Sequence, residues 1–148
     1  MLHFEDKVAL KASPDVAWNS FKTFDKIDAW HPATENCAML EGENGKPLAV
    51  REFQLKGGGF VISELLDYDE SRKWFRYRIL KTSLPLKSYV GEMSVTPAAG
   101  GGSVVHWTSD FRRPDGSANP AEADAATTGL VKMVFETGLA NIAKITGE

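Results

Sequence analysis

The chain has 148 residues, 43% hydrophobic and 25% charged, a composition typical of one folded globular domain covering residues 1–148. Its 17 Lys and Arg against 20 Asp and Glu give a formal charge of -3, which argues against a nucleic-acid partner because no basic field is present. Charges interrupt the apolar stretches near the N-terminus, so we expect no signal peptide, no membrane insertion and a cytoplasmic location. The single cysteine, Cys37, permits neither an internal disulfide nor a thiolate metal cluster.

The beginning of the chain predicts one strand and two short helices. Residues 4–12 fit a strand, and the following Ser13-Pro14-Asp15 supplies a helix cap, a first-position proline and an N-terminal acid for a helix ending at Thr23. A second helix is expected over residues 25–30. It should end at His31-Pro32 because the residue before a proline is disfavoured in helical geometry.

The middle of the chain has the pattern of strands and turns. The turn signals are rich in Gly, Pro and Asp, and they fall at residues 42–47, 57–59, 69–72, 81–85 and 97–102. Their spacing predicts about six consecutive antiparallel strands between residues 33 and 111. Together with the terminal helices, this pattern indicates an α+β fold.

A long helix is predicted at the C-terminal end, where Asn119 is the cap, Pro120 the first residue and Glu122 a capping-box acid. One helix face should be buried, and its members are Val131, Val134, Phe135, Gly138, Ile142 and Ile145. The opposite, polar face carries Lys132, Glu136, Ala140 and Lys144. Gly138 weakens a helix interior, so it should either admit close contact with the sheet or leave space beneath the helix.

Alternation along two neighbouring strands predicts a buried charge pair. Arg51 shares a face with Phe53 and Leu55, whereas Glu64 shares one with apolar residues of the next strand, namely Phe60, Ile62, Leu66 and Tyr68. If residues 56–59 form a four-residue hairpin loop, Arg51 lies directly opposite Glu64. A bulge in the glycine run would make the two diagonal neighbours, which we expect to remain within reach.

Such a pair suggests acid–base chemistry inside a dry pocket. The guanidinium of Arg51 would keep Glu64 ionised, so that the carboxylate could act as a general base or a ligand anchor. Tyr89 or Tyr77 could donate a hydrogen bond to a carbonyl or enolate oxygen. The alternative is a structural ion pair that fixes the strand register, with the tyrosines as ordinary core aromatics.

Two further features have both a functional and a structural interpretation. Trp30 and His31 would form a pocket mouth with a titratable imidazole, or a helix-end cluster packed on the sheet. Leu84, in the turn between two strands, would close over a cavity as a lid, or belong to a plain hairpin loop. No two histidines have metal-ligand spacing with a carboxylate, so the sequence predicts neither a metal site nor a cofactor.

The order of these elements resembles that of the START-like, or SRPBCC, superfamily. The segments A-S-P-D-V-A-W, A-W-H-P-A, L-K-G-G-G, L-L-D-Y-D-E, L-P-L-K-S-Y and W-T-S-D-F look like its polyketide cyclase/dehydrase-like branch, which includes MxaD-like proteins. The resemblance implies a helix-grip fold, in which a seven-stranded antiparallel sheet wraps a long C-terminal helix around a hydrophobic tunnel. Arg51, Glu64 and Tyr89 look similar in placement to residues of plant lachrymatory-factor synthases, and S-L-P to the gate loop of abscisic-acid receptors.

The sequence therefore predicts a cavity for a small hydrophobic molecule, with Glu64, Arg51 and Tyr89 as candidate catalytic residues. The candidate ligand-binding residues are Trp30, His31, Phe53, Ile62, Leu66, Tyr77, Leu84, Met93, Trp107, Phe111, Val134, Phe135 and Gly138. The activity would be a cofactor-independent cyclase, dehydratase or isomerase reaction. A non-catalytic carrier or sensor and an accessory protein that binds a partner protein are the alternatives, and the sequence does not decide whether the chain forms a homodimer.

Overall fold

The computed structural model describes residues 1–147, so Glu148 lies outside the described residues. In chain order its elements are β1 (Leu2–Leu10), α1 (Pro14–Asn19), a 3-10 helix (Phe24–Ala29), β2 (Thr34–Glu41), β3 (Val50–Leu55), β4 (Phe60–Asp69), β5 (Trp74–Thr82), β6 (Lys87–Pro97), a short 3-10 turn (Ala99–Gly101), β7 (Ser103–Arg112) and α2 (Pro120–Ile145). The two short helices after the first strand, the six strands that follow and the final helix are confirmed.

The strands form one antiparallel sheet in the order β1-β7-β6-β5-β4-β3-β2. Consecutive strands from β2 to β7 are neighbours, and β1 adds to β7 at the end of the sheet. β1 runs two residues earlier than the predicted 4–12, because its partner β7 supplies a ladder from Leu2 opposite Phe111 to Leu10 opposite Ser103. This arrangement is the predicted helix-grip α+β fold.

Helix α1 begins as predicted and ends early. The hydroxyl of Ser13 accepts a hydrogen bond from the Val16 amide at 3.3 Å, and Pro14 occupies the first turn. The helix stops at Asn19 instead of Thr23. At this point the Ser20 hydroxyl donates to the Ala17 carbonyl at 2.6 Å, and such a side-chain bond competes with continuation of the helical ladder.

Helix α2 packs one face on the sheet. Asn119 caps it by accepting from the Glu122 amide at 3.2 Å. The buried residues are Thr127, Val131, Phe135, Gly138, Leu139 and Ile142, and the predicted polar residues of the opposite face are exposed. The prediction that Ile145 is buried is wrong: this residue lies in the last turn and is 48% exposed.

The core between α2 and the inner face of the sheet is aromatic. Trp107 of β7 stacks on Phe135 of α2 with ring centroids 4.0 Å apart, and Trp30 meets Trp107 edge-on at 5.5 Å. A Cβ atom on Gly138 would lie 2.8 Å from the His31 ring and 2.9 Å from that of Trp107. Close contact is therefore the role of Gly138, because a larger residue would push the helix off this aromatic layer. Within residues 1–147, no helix combines the length and apolar character needed to cross a bilayer.

Candidate functional site

The hairpin between β3 and β4 decides which residues face the interior. Its strands pair Gln54 with Phe60 and Arg51 with Ser63, one step away from the predicted register. Three successive glycines, residues 57–59, have φ of 89°, 111° and 116°, and the Leu55 amide donates to the Gly59 carbonyl at 2.9 Å. Because glycine alone adopts such backbone angles readily, the turn takes up one residue more than a four-residue loop would.

The predicted pairing of Arg51 with Glu64 is therefore wrong. A shift of one residue turns every side chain of β4 to the other face, so the two residues do not remain neighbours on one face. Glu64 lies on the outer face, where its Oε1 accepts a hydrogen bond from Nε of Arg78 at 2.9 Å and forms an ion pair with Nη2 of the same residue at 2.8 Å. The inner face of β4 carries Val61, Ser63 and Leu65 instead.

Arg51 is buried beneath α2, as predicted, but within residues 1–147 no carboxylate forms an ion pair with it; Asp25 acts on it from a longer distance and raises its pKa slightly against the effect of burial. The Arg51 side chain is enclosed by the ring of Phe24, 4.1 Å from the guanidinium carbon, and by those of Phe53 and Tyr77 at 5.3 and 5.6 Å. Nη1 donates to the Phe24 carbonyl at 2.8 Å. Burial lowers the pKa of the Arg51 guanidinium, yet a guanidinium remains protonated at neutral pH, so the interior holds a positive charge.

Two tyrosines on neighbouring strands form a hydrogen-bonded pair close to this charge. The hydroxyls of Tyr77 on β5 and Tyr89 on β6 are 2.7 Å apart, and the Trp107 indole N–H donates to the Tyr77 hydroxyl at 2.9 Å. Tyr77 lies over Gly91, where a Cβ atom would be only 2.7 Å from the phenol. Desolvation raises the pKa of both phenols, so they are protonated donors at neutral pH and not bases.

His31 has both ring nitrogens engaged. Nε2 lies 2.9 Å from the Val134 carbonyl, which can only accept, and Nδ1 lies 3.2 Å from the Ala33 amide, which can only donate. The ring is therefore neutral with its proton on Nε2. Desolvation, the main cause, lowers the pKa of His31. The hydrogen bond from His31 to the Val134 carbonyl connects the end of the 3-10 helix to α2.

These side chains surround a cavity of about 90 Å³ between the sheet and α2. Its lining is almost entirely apolar or aromatic. The lining residues are Ile27, His31, Ala33, Thr34, Arg51, Phe53, Leu55, Val61, Ser63, Tyr77, Ile79, Leu84, Leu86, Tyr89, Trp107, Leu130, Val131, Val134 and Phe135. The cavity thus brings together the buried charge, the phenol pair and an apolar wall.

Most of the predicted site residues lie in this lining. Those that do so are His31, Arg51, Phe53, Tyr77, Leu84, Tyr89, Trp107, Val134 and Phe135. Trp30, Met93 and Phe111 are buried in the core outside the lining, and Gly138 is in contact with rings. The prediction that Ile62 and Leu66 line the cavity is wrong, because both lie on the outer face of β4. The inner face of this strand contributes Val61 and Ser63 to the lining, which the predicted register places outside.

The loop after β5 covers one side of the cavity. Leu84 and Leu86 line it while remaining partly exposed, and the Pro85 carbonyl accepts from the Thr127 hydroxyl of α2 at 3.3 Å. The position predicted for a lid is therefore next to the cavity and the long helix. In the described part of the chain, no three His, Cys, Asp or Glu side chains are grouped as metal ligands would be.

A seven-stranded antiparallel sheet closed around a C-terminal helix defines a helix-grip protein of the polyketide cyclase-like class. The chain belongs to the family described as polyketide cyclase / dehydrase and lipid transport, whose profile matches residues 1–146. This match confirms the resemblance inferred from the sequence. No curated protein sequence matches the chain closely enough to count as a relative.

Solved structures support the same fold. The protein XoxI from Bacillus cereus is 20% identical, with a TM-score of 0.86 over 99% of this chain and 96% of that one. The Zhui aromatase/cyclase from Streptomyces sp. R1128 is 20% identical, with a TM-score of 0.84 over 98% and 93% of the two chains. A protein from Thermobifida fusca is 22% identical, with a TM-score of 0.82 over 99% and 94%. At these identities the likeness establishes the fold alone.

Proposed function

We propose that the chain binds a small hydrophobic molecule in the cavity beneath α2. The observation that carries this proposal is the cavity itself, which lies between the sheet and α2 and is walled by aliphatic and aromatic side chains with a few polar groups. Pockets of this composition are typical of small-molecule sites, because apolar walls supply the free energy of binding and a few polar groups fix orientation. The family to which the chain belongs includes lipid transport in its description.

The size of the cavity limits what enters without a structural change. An apolar cavity of about 150 Å³ accepts benzene, whereas this one measures about 90 Å³. A ligand with one ring therefore requires an outward shift of part of the wall, and the loop carrying the partly exposed Leu84 and Leu86 is the candidate for this movement. This loop is held to α2 by the Thr127 hydroxyl bond to Pro85, which is long at 3.3 Å.

Blocking the cavity tests the proposal. Val134→Phe places a ring into the space from α2, and Met133→Phe adds the same ring at the neighbouring position, which is 60% exposed. With fluorobenzene as probe and fluorine NMR as readout, the Val134 variant should bind at least about tenfold more weakly than the wild type. The Met133 variant should bind as the wild type does. Equal binding in both variants, or none in the wild type, would contradict the proposal.

Catalysis by a cyclase or dehydratase reaction is a second candidate, supported by the set of donors around the cavity. Arg51, Tyr77 and Tyr89 could stabilise the negative charge of an enolate. Among the lining residues that the structure describes there is no Asp or Glu, and His31 already accepts a hydrogen bond through Nδ1. The donors therefore support ligand binding and polarisation more directly than proton abstraction, and the carrier or sensor role is our first choice. Glu64 has no part in this site.

A further inference from the structure

The buried charge of Arg51 is not part of an ion pair in the part of the chain that the structure describes, and Asp25, which acts on it electrostatically, lies beyond ion-pair distance. Arg51 is 5% exposed. Its Nη1 donates to the Phe24 carbonyl, whereas its Nε has no acceptor among the residues that the structure describes. A buried guanidinium without an anion is destabilising, and proteins rarely retain one without a compensating partner.

A second polar group without a protein partner lies on the adjacent strand. Ser63 is paired directly with Arg51 across β3 and β4, is 1% exposed, and its hydroxyl has no hydrogen-bond partner within the described chain. Both residues line the cavity. Buried polar groups are almost always hydrogen-bonded, so two such groups on neighbouring strands of one cavity require a common explanation.

The phenol pair supplies a further donor to the same cavity. Trp107 donates to the Tyr77 hydroxyl, and one phenolic hydrogen is shared between Tyr77 and Tyr89. Two phenols carry two hydrogens, so the other remains for an acceptor that the pair does not provide. The polar groups of the cavity are therefore N–H and O–H donors around one positive charge.

We infer that the ligand of this cavity carries a carboxylate, which is bound by Nε of Arg51 and the hydroxyl of Ser63. This inference rests on the proposed function and names the class of ligand. A carboxylate accepts several hydrogen bonds and neutralises one guanidinium, which meets the requirement of both unpartnered groups. A phosphate dianion would leave an excess negative charge in an almost wholly apolar cavity, so the charge balance favours the singly charged group.

Two ligands of nearly the same shape test the inference. We choose 4-methylpentanoate and its primary amide, titrated into the wild-type protein at pH 7.5 by isothermal calorimetry. The carboxylate should bind at least about tenfold more tightly than the amide. In NMR spectra the Nε–H signal of Arg51 should shift further on saturation with the carboxylate than on saturation with the amide, because the neutral amide oxygen is the weaker acceptor.

Substitutions then identify which residues cause the preference for the carboxylate over the amide. Arg51→Met and Ser63→Ala should each reduce the preference for the carboxylate, the former to less than about threefold, while affinity for the amide changes little. Arg112→Met, which removes an exposed arginine near the end of β7, is the matched control and should keep the full preference. If Arg51→Met does not fold, the Ser63→Ala variant and the Nε–H signal of the wild type still show whether the carboxylate binds at Arg51 and Ser63.

The outcomes separate this inference from the proposed function. Equal affinity for the two ligands, or a preference that survives in Arg51→Met or disappears in Arg112→Met, overturns the carboxylate assignment. So does a failure of both ligands to bind while fluorobenzene does. In each of these cases fluorobenzene binding, blocked by Val134→Phe, still supports a hydrophobic cavity site. If fluorobenzene does not bind either, the proposed function itself is wrong.

Discussion

Replacing Arg51 by Met should leave the unliganded protein as stable as the wild type or make it more stable. The change removes the hydrogen bond to the Phe24 carbonyl, worth about 1.5–3 kcal/mol for a charged donor, and a cation–π contact worth up to about 2 kcal/mol. It also removes an unpaired buried charge, whose desolvation costs several kcal/mol. Met fills similar space among the rings and adds sulfur–aromatic contacts of about 1 kcal/mol. The expected net change in the free energy of unfolding is a gain of about 0–3 kcal/mol.

Urea unfolding followed by tryptophan fluorescence measures this change, since the chain has four tryptophans and three of them are in the core. Arg112→Met serves as the control and should alter the free energy of unfolding by less than about 0.5 kcal/mol. A loss of more than about 2 kcal/mol in Arg51→Met, with no loss in the control, would show that Arg51 is a structural residue. The same result would refute the proposal that the charge of Arg51 binds a ligand carboxylate.

Three further changes test other parts of the structure. Gly91→Ala should lower the free energy of unfolding by about 1–3 kcal/mol, because the new methyl group displaces the Tyr77 ring; a change below about 0.5 kcal/mol in urea unfolding would contradict this. Glu64→Gln should cost at most about 1 kcal/mol and leave fluorobenzene affinity unchanged, and a tenfold loss of affinity would contradict the assignment of Glu64 to the outer face. The pKa of His31 is lowered on folding, so its contribution to stability is present above pH 6.5 and declines as the pH falls below that value, by up to about 1.4 kcal/mol per pH unit. The pKa of His3 is raised, so His3 changes the pH dependence of stability in the opposite direction. The free energy of unfolding is therefore measured against pH in the His3→Gln variant and in the double variant His3→Gln, His31→Gln. Identical pH profiles of the two would refute the prediction.

Much of the fold could be predicted because several independent local signals agree. The cap and proline at Asn119-Pro120 mark the start of α2, and the turn residues separate the strands of the sheet at regular intervals. Alternation also assigned the inner face correctly in β3, where Arg51 and Phe53 are buried, and in β5, where Phe75 and Tyr77 are buried. Each of these assignments depends on residues within one element.

The face of β4 could not be predicted in the same way. Its sequence has apolar residues on both faces, so the set containing Ile62 and Leu66 is as hydrophobic as the set containing Val61 and Leu65. Alternation therefore does not show which face of β4 is buried. The face depends on the register between β3 and β4, which is set by the number of residues in the glycine turn. That number follows from three left-handed backbone conformations, which the residues Gly57-Gly58-Gly59 allow but do not require.

The register of this one hairpin sets the electrostatic character of the cavity. In the predicted register Glu64 would neutralise Arg51, and a ligand would meet a satisfied ion pair that offers little free energy to an incoming anion. In the observed register Ser63 faces Arg51, and Glu64 neutralises Arg78 on the outside. The interior therefore retains a positive charge with unused donors, and the free energy lost by burying it becomes available to a ligand that brings its own negative charge. A residue that weakens the unliganded protein can in this way strengthen a complex, and on the proposal made above Arg51 serves ligand binding and not stability.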